Sequence, residues 1–349
     1  MTIRLTWKRV LAAIIALGVG GLLFAWSGLF QIAASSGHWQ VTEWFLHWTM
    51  QNSARTYSAF QTPKAVRDDS GLVSAAGHFR QACQTCHGAP GQRPSPVMQS
   101  ATPHAPNLAH TVGEYTDREL FWIVQHGVKY TGMPAWPARD RPDEVRRMVG
   151  FLRQLPAMSA SEYADLSAPR PTPAAPAAIA GLVAQCASCH GTDGLGRAQS
   201  DIPVLAGQKK AYLLSSLQSY AAGHRKSAPM QVAVNALGPG EMRQLARFYA
   251  SLPGLKDRQL PRGHRYIAEG NRTKQLPACA SCHAPGKTAP LIGGQRAAYL
   301  AQRLRTWRGE ETVIDAHKSQ RPMPVIARRI EKGEIEPLAK SLANDRNGQ

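Results

Sequence analysis

Several features that would place the chain in other protein classes are scarce or missing. Only six of its 349 residues are cysteine, and acidic residues number 23 against 41 lysines and arginines. No run of alternating β-branched residues occurs, which argues against a β-sheet and predicts an all-α fold. No helix-turn-helix, zinc-finger or RNP pattern accompanies the basic charge, so nucleic acid is not expected as a partner.

All six cysteines fall in three copies of one short pattern: Cys83-Gln-Thr-Cys86-His87, Cys186-Ala-Ser-Cys189-His190 and Cys279-Ala-Ser-Cys282-His283. Positions i and i+3 of a helix share a face, so both thiols can add to the two vinyl groups of one haem. The histidine that follows can then bind the iron as its proximal ligand. The pattern predicts three covalently bound haem c groups, each with an iron, and leaves no cysteine for a disulfide.

Zinc half-sites, redox dithiols and disulfides also use the CxxC spacing. A zinc site needs CxxC units in pairs, and three units leave one over. A thioredoxin-like dithiol would be single and embedded in a βαβ pattern. A histidine directly after each of the three units favours haem over these alternatives.

Each motif is followed by a methionine beside a proline. Met133, Met230 and Met323 lie 46, 40 and 40 residues after their motif histidines. We predict that they are the distal iron ligands, which would give high reduction potentials. Histidines are the rival ligands: His104, His110 and His126 for the first haem, His224 for the second and His317 for the third.

The three motifs sit in an internal repeat. Gly207-Gln208 followed by Tyr212 matches Gly294-Gln295 followed by Tyr299. Pro277 stands just before the third motif and should break the helix that enters it. We predict a cytoplasmic N-terminus and transmembrane anchor (1–36), an interfacial helix or connector (37–69), a first cytochrome c domain (70–157), a Pro/Ala-rich linker (158–178), a second domain (179–258) and a third domain (259–345).

The second and third predicted domains resemble the two halves of cytochrome c4-type and related class I cytochromes. The first resembles a single class I domain from the cytochrome subunits of membrane dehydrogenases and oxidases, through its loop Tyr130-Thr-Gly-Met133-Pro-Ala-Trp136. Three such domains in one chain resemble the triheme cytochrome c subunits of bacterial alcohol, gluconate, aldehyde and nicotinate dehydrogenases. The resemblance covers about residues 70–343 and implies three tandem class I cytochrome c domains.

The N-terminus predicts a membrane location. Arg4, Lys8 and Arg9 precede an uncharged stretch, Val10–Phe30, which as a helix would span about 31 Å, one hydrocarbon thickness. A cleaved signal peptide is the alternative. We expect a retained single-pass anchor in the bacterial cytoplasmic membrane, with the haems on the periplasmic side, because the basic residues favour the cytoplasm.

Four apolar residues after this stretch recur at helical spacing: Val41, Trp44, Phe45 and Trp48. Such a face could lie on the bilayer surface, or it could pack against the first domain. Both interpretations stay open on the sequence.

Electron transfer, and not catalysis, is the function that these patterns favour. An iron with both axial positions filled has no open site for a substrate. We expect a membrane-anchored triheme relay that accepts electrons from a periplasmic dehydrogenase or from quinol and passes them to a terminal oxidase or a soluble carrier. The alternative of another class is a haem peroxidase or reductase, which would need one iron with a vacant position.

Overall fold

The structure, a computed structural model, describes residues 6–309 and 322–343. Within these ranges the regular structure is helical, with two isolated bridges, Ala89 with Gln92 and Asn271 with Leu276, in place of any sheet. The predicted helical fold is therefore confirmed for the described part of the chain. The early helices are α1 (Trp7–Trp26), α2 (Gln40–Gln61), α3 (Leu72–Ala82), α4 (Gln84–His87), α5 (Pro96–Gln99), α6 (Leu108–Thr111), α7 (Asp117–His126), α8 (Pro142–Gln154) and α9 (Ala160–Ser167).

Nine further helices, connected by loops, follow in the described part of the chain. They are α10 (Ala180–His190), α11 (Lys210–Ala221), α12 (Ala228–Val234), α13 (Pro239–Ser251), α14 (Arg265–Ala268), α15 (Ala280–His283), α16 (Ala297–Arg308), α17 (Pro322–Arg329) and α18 (Ile335–Ala343). We call α3 to α9 the first unit, α10 to α13 the second unit and α14 to α18 the third unit.

Helix α1 is shifted from the predicted stretch Val10–Phe30. Its 20 residues begin at Trp7 and end at Trp26, because Gly28 takes a positive φ of 72° that a helix cannot continue through. At 1.5 Å per residue the helix is about 30 Å long. It is long and apolar enough to cross a bilayer, a test that a signal sequence also passes.

Helix α2 divides into two halves with different surroundings. Its C-terminal half packs on α7: Tyr57 stacks on Trp122 at 5.8 Å between ring centroids, and the Trp122 indole N–H donates to Gln61 Oε1 at 3.1 Å. Its N-terminal half leaves Trp44 and Trp48 at least half exposed. Packing on the first unit and an exposed apolar face thus both occur, on different halves of one helix.

The first unit encloses its own apolar core. Phe79 of α3, Phe151 of α8 and Tyr163 of α9 are buried and in mutual ring contact. Helix α8 begins with Pro142 at its first position, as expected, since that position needs no N–H donor. Residues 160–167 lie inside the predicted linker but form α9, because Tyr163 packs into this core.

The second and third units have separate cores. Val183, Leu245 and Phe248 are buried in the second, and Tyr266 and Leu338 in the third. Between α14 and α15 the chain leaves helical structure, so the break expected at Pro277 is present.

The first and second units pack directly on one another. Ala228 of α12 is fully buried in the core of the first unit. Arg141 forms ion pairs with Asp143 at 2.8 Å and with Glu144 at 3.0 Å, and it donates to the Lys226 carbonyl at 2.9 Å. These contacts join the start of α8 to the segment that leads into α12.

Candidate haem sites

The three motif histidines share one hydrogen bond. Nδ1 of His87, His190 and His283 lies 2.9, 3.2 and 2.7 Å from the backbone carbonyl oxygen of Pro106, Pro203 and Pro290, respectively. A carbonyl can only accept, so Nδ1 must carry the ring proton. That tautomer leaves the Nε2 lone pair of each ring free to bind iron.

Sequence reasoning missed these prolines, although the repeat contained a signal for two of them. Pro203 and Pro290 each stand five residues before the repeated glutamines, Gln208 and Gln295. They lie 13 and 7 residues after their motif histidines, so the six-residue length difference between the repeats falls wholly within the histidine-to-proline loop. Pro106 has no glutamine partner and carried no such signal.

Each motif folds as one helical turn from its first cysteine to its histidine. The His87 N–H donates to the Cys83 carbonyl at 3.0 Å, and the His283 N–H donates to the Cys279 carbonyl at 2.9 Å. The second motif is the end of the longer helix α10. This turn puts both cysteines of a motif on one face, as attachment to one porphyrin requires.

Burial disfavours the thiolate form of the first cysteine of each motif. Burial, with a smaller effect of Cys86, raises the pKa of the Cys83 thiol to about 12. Burial also raises the pKa of Cys186 and of Cys279 to about 11. Zinc ligation and dithiol exchange need accessible thiolates. In the residues that the structure describes, moreover, no three His, Cys, Asp or Glu side chains converge to hold a metal.

The motif histidines are poised to stay neutral. Burial lowers the pKa of His190 to about 4 and lowers the pKa values of His87 and His283, although the proline carbonyls act in the opposite direction. Neutral imidazole is the form that binds iron.

The three candidate methionines are each partly buried. Met133 lies in the loop after α7, where its N–H donates to Thr131 Oγ1 at 3.1 Å and its carbonyl accepts from Val128 at the same distance. Met230 lies in the first turn of α12, and Met323 is the second residue of α17 and packs on the third core. The rivals His104, His110, His126 and His224 are exposed, and His317 lies outside the described residues. Burial favours methionine, and the ligand assignment stays a prediction.

Buried donors on α16 and at Arg225 fit the acidic groups of haem. Trp307 Nε1 and Gln302 Nε2 are buried without an acceptor in the described part of the chain. Arg225 is only 3% exposed, and it donates to the Tyr299 hydroxyl at 2.6 Å. Burial would raise the pKa of Tyr212, yet Arg225 and Arg303 lower it overall, which indicates a positive potential there. Propionate carboxylates would supply acceptors for these donors and balance the charge.

Two stretches of the chain match known families. Residues 72–152 match the family described as cytochrome c oxidase, cbb3-type, subunit III. Residues 177–270 match the family described as cytochrome c.

Individual relatives agree with these matches. The thiosulfate dehydrogenase electron acceptor of Thiomonas intermedia (strain K12) is 31% identical over 186 residues, which are 49% of this chain and 83% of the relative. Cytochrome c4 of Stutzerimonas stutzeri is 31% identical over 181 residues, 46% of this chain and 85% of the relative. The crystal structure of reduced recombinant cytochrome c4 from Pseudomonas stutzeri is 28% identical, with a TM-score of 0.41, and covers 47% of this chain and 94% of its own. With three CxxCH turns and two curated relatives matched over most of their length, the chain belongs to the multihaem class I c-type cytochromes of the cytochrome c4 kind.

Proposed function

We propose that this chain is a membrane-anchored relay of three haem c groups, one in each helical unit, and serves as the electron-transfer subunit of a periplasmic dehydrogenase. The observation that carries the proposal is the contact between the first unit and the second haem motif. Electron transfer over a chain of haems requires neighbouring sites to be close, and one contact between the first and second units lies at a motif cysteine, Cys189.

The helix that leads into the first motif packs on the second motif. Cys189 Sγ lies 3.9 Å from the Val73 carbonyl oxygen in α3, and a Cβ added at Gly77 would lie 2.8 Å from the same sulfur. Helix α3 ends at Ala82, immediately before Cys83. Cys83 is the sixth residue after Gly77, about 9 Å along a helix. The two attachment sites are therefore neighbours.

One carboxylate also links the two segments that carry the candidate distal methionines of these haems. Glu144 Oε2 accepts from the Trp136 indole N–H at 3.3 Å and from the Ala228 N–H at 2.8 Å. Trp136 lies three residues after Met133, and Ala228 lies two residues before Met230. The arrangement supports direct exchange of electrons between the first and second haems.

The chain's own residues would bind and orient the cofactor. Bound haem supplies the one-electron chemistry. Cys83, Cys86, Cys186, Cys189, Cys279 and Cys282 would fix the rings, and the proline-bound histidines with the methionines would fill the axial positions. With both axial positions filled, no iron would be open to a peroxide or another substrate.

Relatives named as thiosulfate dehydrogenase electron acceptors support a dehydrogenase as the donor. The match of residues 72–152 to a cbb3-type oxidase subunit supports a second candidate, in which the chain delivers electrons to a terminal oxidase. In either case α1 would hold the relay in the cytoplasmic membrane with the haems in the periplasm.

Purification through a C-terminal tag after mild detergent extraction of the native membranes tests the proposal. We expect a periplasmic dehydrogenase to co-purify and to reduce the haems when its substrate is added, with thiosulfate as the first substrate tested. Recovery of a haem-copper oxidase, reduced through this chain, would establish the second candidate. A haem content below three per chain would overturn the relay itself.

A further inference from the structure

Two buried glutamines form a reciprocal pair of contacts between the second and third units. Gln208 Nε2 donates to the Leu291 carbonyl at 2.9 Å, and Gln208 Oε1 accepts from the Leu291 N–H at 2.9 Å. Gln295 Nε2 donates to the Val204 carbonyl at 3.0 Å, and Gln295 Oε1 accepts from the Val204 N–H at 2.7 Å. Each side-chain amide therefore uses both polar atoms on one backbone residue of the opposite unit.

The two backbone residues that receive these contacts each directly follow a haem-site proline. Val204 follows Pro203, whose carbonyl oxygen is bonded to His190, and Leu291 follows Pro290, whose carbonyl oxygen is bonded to His283. The glutamine of the third unit thus holds the loop behind the histidine of the second unit. The glutamine of the second unit does the same for the third.

Each glutamine is itself fixed from its own unit. The preceding residues Gly207 and Gly294 have positive φ angles of 69° and 76°, which glycine adopts without strain. Their N–H groups donate to the carbonyls of Tyr249 in α13 and Leu342 in α18, at 2.9 and 2.8 Å. The closing helix of one unit therefore supports the loop of the other.

The residues after the glutamines repeat the exchange with charged side chains. Arg296 donates to the Leu195 carbonyl at 2.6 Å, and the Lys209 ammonium donates to the Lys287 and Ala289 carbonyls. Leu195 lies in the loop between His190 and Pro203, and the two acceptors of Lys209 lie between His283 and Pro290. Both histidine-to-proline loops are therefore held at two points from the opposite unit.

We propose that Gln208 and Gln295 are crossed positioning residues: each fixes the proline carbonyl that orients the proximal histidine of the other unit's haem. The inference deepens the proposed relay and rests on its assignment of His190 and His283 as iron ligands. Both glutamines are buried, at 3% and 4% exposure, so an apolar replacement would leave a backbone N–H and a carbonyl without partners. The loop would loosen, and the Nδ1 proton of the distant histidine would become accessible to water.

The test follows the ring Nδ1 protons by NMR in the reduced full-length holoprotein, labelled with 15N at histidine. The signals are assigned with variants of each motif histidine. Gln208→Leu should speed hydrogen exchange of the His283 Nδ1 proton at least about tenfold and leave that of His190 unchanged. Gln295→Leu should give the reverse pattern. Gln218→Leu, an exposed site on α11 in the same unit as Gln208, is the matched control and should change neither signal.

Gln208→Glu serves as the second variant, because it retains the acceptor for the Leu291 N–H while replacing the amide donor with a carboxylate oxygen that faces the Leu291 carbonyl. It should give a smaller acceleration at His283, and it keeps the test open if the leucine variant does not fold. Faster exchange of the histidine Nδ1 proton only in the unit that carries the substitution, or equally in both units, would overturn the crossed assignment. A wild-type protein that lacks haem at His190 or His283 would instead overturn the proposed function.

Discussion

His78 is a buried residue outside the candidate haem sites, and its protonation should make the stability of the protein depend on pH. It is 3% exposed, its ring centroid lies 4.5 Å from that of Trp136, and burial lowers its pKa to about 4. An unfolded chain protonates this ring below about pH 6.5. The folded protein protonates it only near pH 4, so stability should fall as the pH drops between these values, by up to about 3 kcal/mol.

A His78→Phe variant should lose this dependence of stability on pH, because phenylalanine keeps a ring beside Trp136 but cannot be protonated. Chemical unfolding of the holoprotein at pH 7 and at pH 5 measures this dependence as the difference between the two free energies of unfolding. The exposed His104, replaced in the same way, is the control. An unchanged difference between the two pH values in the His78 variant would show that another group causes the acid sensitivity.

The distal ligands give a second prediction for single residues. Met230→Ala should open one axial position and convert one of three low-spin ferric signals in the EPR spectrum to high spin. Met133→Ala and Met323→Ala should each do the same. Met98→Ala is the control, since that methionine also follows a proline-containing segment but lies only 11 residues after His87. A low-spin spectrum that survives Met230→Ala would point to His224 as the ligand.

At the scale of single residues, the sequence predicted the local geometry of the motifs better than it predicted the hydrogen-bond partners of their side chains. The spacing of Cys186, Cys189 and His190 requires a helical turn, and the turn is present. The carbonyl of Pro203 could not be assigned, because a backbone acceptor has no residue type of its own. The repeat marked Gln208 and Gln295 as equivalent, yet equivalence does not reveal that each contacts the other's unit.

At the scale of elements, buried Glu144 at the start of α8 links that helix to α12 by accepting a hydrogen bond from the Ala228 N–H. Glu144 accepts from Trp136 and Ala228 on one oxygen, and its other oxygen lies 3.0 Å from Arg141 Nη1. Glu144→Ala should destabilise the protein by about 3 kcal/mol, because it leaves a buried guanidinium with one fewer carboxylate and two N–H donors without an acceptor. Urea unfolding with haem absorbance measures the loss.

Two comparisons sharpen the Glu144 experiment. Glu144→Gln keeps an oxygen for the two N–H donors, so its loss of stability should be less than half of the loss in Glu144→Ala. Glu162 is the N3 residue of the capping box at the exposed start of α9, and Glu162→Ala should cost much less stability than Glu144→Ala. Equal losses for Glu144→Ala and Glu162→Ala would show that the link between α8 and α12 adds little.

Helix boundaries were predictable where one residue type decides them. Pro142 begins α8, because the first helical position needs no N–H donor, and the helix that carries the third motif begins only after Pro277, at Ala280. The composition of residues 158–178 suggested a linker throughout, but Tyr163 buries its ring against Phe79 and so α9 forms. Tertiary packing of this kind is not visible in local composition.

For the whole molecule, the basic surface and the internal relay should respond differently to salt. The chain has a formal charge of +18, and about six haem propionates would reduce it to roughly +12. Docking of an acidic electron donor would be steered by this charge, so its second-order rate should fall as ionic strength rises. Transfer between the proposed haems would occur within one chain whose units are joined by buried contacts such as Gln208 with Leu291, where screening is weak. Stopped-flow reduction at 50 and 300 mM salt, followed by flash-induced transfer in the partly reduced protein, should therefore show slower docking and an unchanged internal rate. An internal rate that falls together with docking would mean that the units separate in salt, and the relay would then depend on their exposed charges.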